Sequence, residues 1–210
     1  MEKDNNKKFW DRHAGMYTKA MKSSAGLYSS IREKIAGDLY GNEDVLELAC
    51  GTGQLSFGLS ECVEFYMATD FSADMIENAK IRGSRNNLRF ETADATRLEY
   101  PDGSFDTVII ANALHIMPEP EKALSEIKRI MKDGGVLYAP TFGESTSLMG
   151  KIRIGIMSIG GFRQFYKWDM ASFTKFLDEN GFKVTESNMM GSRLMPLMFV
   201  KCVKKDDDLV

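Results

Sequence analysis

The sequence predicts an open α/β fold, a mostly parallel sheet with helices on both faces and a nucleotide-type cleft along one edge. Three apolar runs carry this reading. The first, residues 45–50, breaks into the turn Gly51-Thr52-Gly53, the second ends at Asp70, and the third ends at Asp94. Strands that each deliver a turn or a carboxylate at their C-terminal ends build a ligand pocket, because that edge of an open α/β sheet is where ligands bind.

In chain order, residues 7–21 read as an amphipathic helix whose larger groups are Phe9, Trp10, His13, Met16 and Tyr17, and residues 29–39 as a second helix. Strand 45–50, helix 54–60, strand 64–70, helix 73–82, strand 88–94 and strand 105–112 follow. Residues 118–132 form a helix, with Pro118 and Pro120 suited to its first turn and Ala123, Leu124, Ile127, Ile130 and Met131 at helical spacing. Gly134-Gly135 is expected to stop it before strand 136–142. The alternation of strand and helix argues for right-handed crossovers and a parallel sheet. After a glycine-containing apolar segment, 143–167, a helix over 168–179 is stopped by Asn180-Gly181, and 182–190 and 195–204 read as a closing hairpin. The chain reads as a single domain over 1–210. Its parts are an N-terminal helical cap (1–43), a strand-and-helix core (44–142), an apolar insertion (143–167) and a C-terminal helix with closing strands (168–205); the family resemblance described below implies that the core binds the cofactor and that the insertion is a substrate lid.

Bulk properties narrow the class. With 210 residues the chain suffices for one domain with a full core, and the net charge of −3 gives no global pull toward nucleic acid. The three cysteines, Cys50, Cys62 and Cys202, are odd in number and form no Cys-x-x-Cys or Cys/His cluster. Neither a disulfide scaffold nor a metal site is expected. Cys50, within the glycine turn, reads as a small residue packed beneath the loop. The first six residues are polar and no apolar run is long enough to span a bilayer, so a cytoplasmic location is expected.

Gly51 and Gly53 let the backbone turn sharply and approach a ligand closely. A dinucleotide fingerprint would continue to a third glycine, where this chain has Ser56. Asp70, just under twenty residues beyond the turn, is placed to accept from both hydroxyls of a ribose. Ser72 is available to cap the following helix, which leaves Asp70 for that role. Asp94 is suited to accept from an exocyclic amine while the adjacent Ala95 amide donates to a ring nitrogen, a pair that reads adenine. Met75 and Phe71 would pack against the adenine face.

The ordered set Glu47-Leu48-Ala49-Cys50-Gly51-Thr52-Gly53, Asp70-Phe71-Ser72-Ala73-Asp74-Met75, Ala93-Asp94-Ala95 and Phe105-Asp106-Thr107-Val108 resembles a class I S-adenosylmethionine-dependent methyltransferase. Tyr100-Pro101-Asp102-Gly103-Ser104-Phe105-Asp106, Leu114-His115-Ile116-Met117-Pro118 and the N-terminal Phe9-Trp10-Asp11…Tyr17 are similar to the branch that contains ubiquinone/menaquinone C-methyltransferases and many small-molecule enzymes. The resemblance implies a Rossmann-like sheet of seven strands with an antiparallel C-terminal strand. It implies S-adenosyl-L-methionine as cofactor and S-adenosyl-L-homocysteine as product. Glu47, Ala49, Gly51 and Gly53 would surround the methionine part, Asp70 the ribose, Asp94 and Ala95 the adenine, with Asn112 beside the methionine and Tyr17 covering the cofactor. The family usually has glycine where this chain has Ala49.

Methyl transfer from a sulfonium is an in-line displacement that needs alignment more than acid–base chemistry. If a base is used, His115, just beyond the fourth strand, and His13, on the entry helix, are the catalytic candidates. The Met-, Ile- and Phe-rich segment 143–167, with Lys151, Arg153, Arg163 and Lys167 interspersed, suggests an apolar roof over a small, partly apolar methyl acceptor, or a peripheral contact with a lipid surface. Two rival classes remain. A nicotinamide-dependent oxidoreductase shares the glycine turn and the acidic strand end, but the missing third glycine, the Asp94-Ala95 pair and the closing hairpin count against it. A non-catalytic S-adenosylmethionine-binding module needs only the same cofactor motifs. A nucleic-acid methyltransferase ranks lower, because no Asn-Pro-Pro-Tyr-type motif and no basic excess are present. The acceptor atom and the oligomeric state are not encoded in any motif.

Overall fold

The computed structural model describes residues 3–20, 24–143, 163–192 and 195–205, with the backbone alone described for 3–5 and 16–20. Strands β1 (Asp44–Leu48), β2 (Phe65–Asp70), β3 (Leu88–Thr92), β4 (Phe105–Ile110), β5 (Met131–Tyr138), β6 (Thr141–Phe142), β7 (Phe182–Ser192) and β8 (Met195–Lys204) form one sheet. Its order is β3-β2-β1-β4-β5-β8, with β7 outside β8 and the short β6 extending the line of β5 along β8. Strands β3, β2, β1, β4 and β5 pair in parallel, while β8 runs antiparallel to β5, β6 and β7. The predicted sheet, mostly parallel with an antiparallel C-terminal strand, is therefore the one observed.

Side chains along the strands alternate between two cores, as the pleat requires. Leu46, Leu48, Met67, Val108, Ile110, Leu137 and Val200 pack on one face with helices α5 (Pro120–Ile130) and α6 (Met170–Glu179). Val45, Tyr66, Ala68, Ile109, Tyr138 and Phe199 pack on the other with α2 (Ala25–Ala36), α3 (Ser56–Leu59) and Ile76 of α4 (Ala73–Arg82). α5 shows why the pattern reads through. Its buried Ala123, Leu124, Ile127 and Ile130 form one stripe, Pro120 sits in the first turn, and Lys128 and Arg129 end it. α6 starts on a reciprocal capping box between Asp169 and Ser172. α1 (Lys3–Ala20) lies outside this sandwich and contacts α4.

Several boundaries differ from expectation for identifiable reasons. β1 ends at Leu48 because Ala49 turns to a left-handed φ of 54°, and β4 ends before Asn112, where φ is 55°. Gly134-Gly135 does not stop a helix. The chain leaves α5 at Met131 and enters β5 at once, and the glycines absorb the register shift between the Phe105–Met131 and Thr107–Val136 pairs, with Gly134 at φ 74°. Of the 143–167 insertion, residues 144–162 lie outside the described residues, including Lys151 and Arg153, and with them the expected lid and lipid contact. Among the described residues, no helix is long and apolar enough to cross a membrane.

Candidate functional site

The C-terminal ends of β1 to β4 are laced together around one cavity. Asp70 is the central brace. Its Oδ2 accepts from the Gly51 amide at 2.8 Å, and its Oδ1 accepts from the Ser72 amide at 2.9 Å. The Cys50 amide donates to the Thr69 carbonyl at 2.9 Å and the Ala93 amide to the Asp70 carbonyl at 3.0 Å, which ties the three strand ends in sequence. Ser72 caps α4, its Oγ accepting from the Met75 amide at 3.2 Å while donating to Asp11 Oδ1 at 2.5 Å. Capping thus falls to Ser72, while both Asp70 oxygens orient the backbone of the site. Each keeps a further lone pair, so the carboxylate can still receive two hydroxyl donors. Burial pushes the Asp70 carboxyl up to about 6, against the pull of the amides of Ser72 and Gly51.

The cavity is lined by Ala49, Gly51, Asp70, Phe71, Met75, Asp94, Ala95 and Asn112 among the sequence-selected residues. Asp94 Oδ1 accepts from the amide and hydroxyl of Thr96 at 2.9 and 2.7 Å, which orients the loop that carries Ala95. Asn112 donates its backbone amide to Pro140 O at 2.7 Å and its side-chain Nδ2 to the Tyr28 hydroxyl at 3.2 Å, and its buried Oδ1 has no partner among the described residues.

Other expected site residues lie elsewhere. Glu47 is buried behind the turn, where its Oε2 accepts from Ser56 Oγ at 2.5 Å and Tyr66 OH at 3.0 Å. The serine in the place of a third glycine is therefore the partner of this carboxyl. Burial outweighs both hydroxyls and pushes Glu47 up to about 7. Gly53 also stands off the cavity. Its φ is 77°, and an added Cβ would meet the Phe57 ring at 2.9 Å, so the fold beneath the turn requires glycine here. Cys50 is buried, and burial raises its thiol well above the ordinary value. Tyr17 lies in α1, but its side chain lies outside the described residues.

Neither histidine lines the cavity. His115 is 6 % exposed, its Nδ1 has no partner among the described residues, and burial lowers it to about 4, so the ring is neutral at pH 7. Its carbonyl instead receives the amides of Phe165 and Tyr166 at 3.0 and 3.1 Å. His13 stacks on Phe9 with ring centroids 4.3 Å apart, and its Nδ1 meets the Phe9 carbonyl at 2.7 Å. Among the described residues no cluster of His, Cys, Asp or Glu is suited to hold a metal.

The entry helix was expected to cover the cofactor through Tyr17, but the residues that line the roof were given no role. Asn6, Lys7 and Trp10 of α1 and Ile116, Met117 and Pro118 also line the cavity. Asn6 is buried and donates Nδ2 to the carbonyls of Ile116 and Arg163 at 2.8 and 3.1 Å, while its Oδ1 accepts from the Arg163 amide at 3.0 Å. Nothing in a polar N-terminal run signals such a contact. Apolar Trp10, Ile116, Met117 and Pro118 and polar Asp70, Asp94 and Asn112 line the same cavity.

Residues 46–139 match a family model described as a methyltransferase domain. The chain is 40 % identical over 94 residues to a demethylmenaquinone methyltransferase of Clavibacter sepedonicus, covering 44 % of this chain and 38 % of that protein. It is 33 % identical over 129 residues to a ubiquinone/menaquinone biosynthesis C-methyltransferase of Bdellovibrio bacteriovorus, covering 58 % of this chain and 54 % of the relative. The chain thus aligns with about half the length of such relatives or less. Among solved structures, a chain of the complex between the Haloferax volcanii Trm112 methyltransferase activator and a methyltransferase superposes with a TM-score of 0.78 at 18 % identity, covering 94 % of this chain and 98 % of that one. Magnesium protoporphyrin IX methyltransferase from Synechocystis PCC 6803, with bound S-adenosylhomocysteine, superposes at 0.67 and 20 % identity, covering 87 % and 84 % of the two chains. These structural likenesses establish the fold.

Proposed function

We propose, from the premise that this chain carries a class I methyltransferase domain similar to the quinone C-methyltransferases, that it binds S-adenosyl-L-methionine and methylates a small, partly apolar acceptor. The observation that carries the reading is the order of polar groups along one cavity edge. Asp94 follows β3, Asp70 ends β2, the Gly51 turn follows β1 and Asn112 follows β4, and these strands are neighbours in that order. A linear ligand with a base, a ribose and a charged amino-acid end fits such an edge. Asp94 and the Ala95 amide would read the base, Asp70 the ribose hydroxyls, and Asn112 the amino-acid end, with Met75 and Phe71 as apolar flanks.

Bound in this cavity, the sulfonium donor supplies an already activated methyl group. The chain's part is to orient donor and acceptor and to exclude water. Trp10, Ile116, Met117 and Pro118 offer an apolar surface to an acceptor, and α1 covers the cavity through the Asn6 and Asp11 contacts. Because neither histidine lines the cavity, the reading assigns neither of them a proton. It favours acceptors that arrive nucleophilic, such as an ionised phenol activating a ring carbon, or a thiolate. The expected absence of nucleic acid as substrate rests on the net charge of −3.

Calorimetric titration with S-adenosylhomocysteine tests the cofactor, with NAD as control and Asp70→Ala as variant. Saturable binding of the homocysteine nucleoside, weakened at least tenfold by the variant, is the expected result and justifies an acceptor screen across quinols, thiols and amines. Binding of NAD alone would restore the oxidoreductase reading. Cofactor binding with no turnover on any acceptor would favour a non-catalytic binding module.

A further inference from the structure

We propose that the Glu126–Arg129 pair of α5 is a positioning device that sets which base the cavity accepts, by clamping Leu98 and with it the turn that carries Asp94 and Ala95. The inference rests on the S-adenosylmethionine reading above and deepens it.

The loop between β3 and β4 begins at the cavity, which Asp94, Ala95 and Thr96 line. Its first residues form a tight turn. Thr96 donates its amide and hydroxyl to Asp94 Oδ1, and the Arg97 amide donates to the Asp94 carbonyl at 2.9 Å. Upstream, the bond from the Ala93 amide to the Asp70 carbonyl fixes this turn to β2. Downstream, it is fixed to α5 at Leu98. The Leu98 amide donates to Glu126 Oε2 at 2.8 Å, and the Leu98 carbonyl accepts from Arg129 Nη2 at 2.9 Å. One ion pair thus holds both backbone polar groups of Leu98. The pair is itself bidentate, with Arg129 Nε donating to Oε1 at 3.0 Å and Nη2 to Oε2 at 2.8 Å.

Arg129 also reaches further along the loop. Its Nη1 donates to the Tyr100 carbonyl at 2.8 Å and to Asp102 Oδ1 at 2.7 Å. All five guanidinium donors therefore have acceptors, a pattern that a lysine ammonium cannot reproduce. The end of α5 adds two backbone bonds, from the Gly103 amide to the Arg129 carbonyl at 3.0 Å and from the Ser104 amide to the Ile130 carbonyl at 2.7 Å. The segment from Tyr100 to Ser104 does not line the cavity, and these contacts give it a task. Arg129 and Glu126 side chains are 31 % and 21 % exposed, so their charges add little stability. What the pair does instead is fix where two backbone groups lie.

That placement matters for reading a base. Adenine offers an amine donor beside a ring-nitrogen acceptor, which suits the Asp94 carboxylate and the Ala95 amide. Hypoxanthine has a carbonyl and a ring N–H in those places, so both pairings reverse. A turn that is held cannot move away from this double mismatch, whereas a loosened one can.

The test compares S-adenosylhomocysteine with S-inosylhomocysteine, which carries hypoxanthine in place of adenine, by competition calorimetry. The wild-type protein should prefer the adenine nucleoside by at least about a hundredfold. Arg129→Lys keeps the charge and loses the fork. We expect it to bind the adenine nucleoside about five- to tenfold more weakly and the hypoxanthine one within about twofold, so that the preference narrows. Glu126→Gln sets an amide N–H against the guanidinium or the Leu98 amide whichever way it turns. It should narrow the preference likewise, and it carries the comparison if Arg129→Lys does not fold. A preference that holds or widens in both variants, whether or not the affinities fall, would overturn the proposal and leave the pair a brace for the fold. A wild-type protein that binds the two nucleosides alike would overturn it with the cofactor reading intact. One that binds neither sinks the cofactor reading, and this inference with it.

Discussion

Two residues beneath the glycine turn show local cost held in place by the surrounding fold. Ala49 sits at φ 54° in a position that glycine occupies without strain. A left-handed L-residue costs roughly 1–2 kcal/mol, while glycine loses about 0.5–1 kcal/mol through unfolded-chain entropy, so strain relief wins. Ala49→Gly should stabilise the protein by about 0.5–1 kcal/mol in urea unfolding, and a loss of stability would mean that the Ala49 methyl packs better than its backbone suffers. Glu47 stores a different cost. Its carboxyl is raised from 4.5 to about 7, chiefly by burial. A group that holds its proton more tightly when folded contributes stability that is complete below pH 4.5 and lost as pH rises through about 7. Glu47→Gln keeps an acceptor for Ser56 and Tyr66 without the buried charge. Its stability relative to the parent should therefore climb between pH 5 and pH 8, by up to about 3 kcal/mol, and parallel pH profiles would contradict the buried-charge account.

At the scale of elements, α1 is held at two points, by Asn6 at Ile116 and Arg163 and by Asp11 at Ser72. Replacing Asn6 by alanine removes three hydrogen bonds to the backbone of Ile116 and Arg163, a loss of about 1–3 kcal/mol. Hydrogen exchange of α1 amides should quicken roughly tenfold or more in Asn6→Ala while β1 and β4 keep their protection. Uniform acceleration would show instead that α1 folds with the core. This helix also marks where the sequence stops being legible. The strands and α5 are legible because buried positions recur along them, and Asp70 because it ends an apolar run, whereas the strand before Asp94 carries Arg89 and Glu91 between its apolar groups. Asn6 acts through a contact 110 residues away, which leaves no local pattern. Glu47 and Gly53 were recognised as part of the turn, yet Glu47 faces Ser56 and Tyr66 and Gly53 makes room for Phe57, because a strand pleat fixes only alternate sides. The helix stop read at Gly134-Gly135 failed because a bulge and a helix end ask the same backbone freedom of glycine.

For the whole molecule, a ligand that joins the ends of four strands and the roof helix stabilises everything that must come apart on unfolding. At a hundredfold excess over its dissociation constant, S-adenosylhomocysteine should add about 2.7 kcal/mol, which for a chain of this size raises the melting temperature by roughly 5–10 °C. The pH dependence of that shift then tests the role of Asp70. Its carboxyl lies near 6 in the free protein because burial disfavours the charge, and hydroxyl donors from a ribose favour the ionised form. Binding below pH 6 must therefore expel a proton, and the affinity falls by about tenfold for each pH unit. At fixed ligand concentration the melting shift at pH 5 should be smaller than at pH 7.5 by about 3–5 °C. In Asp70→Asn, which cannot ionise, the shift should be small and flat across the same range. A wild-type shift that does not change between pH 7.5 and pH 5 would mean that the ribose is held by groups other than this carboxylate, and that Asp70 serves only to brace Gly51 and Ser72.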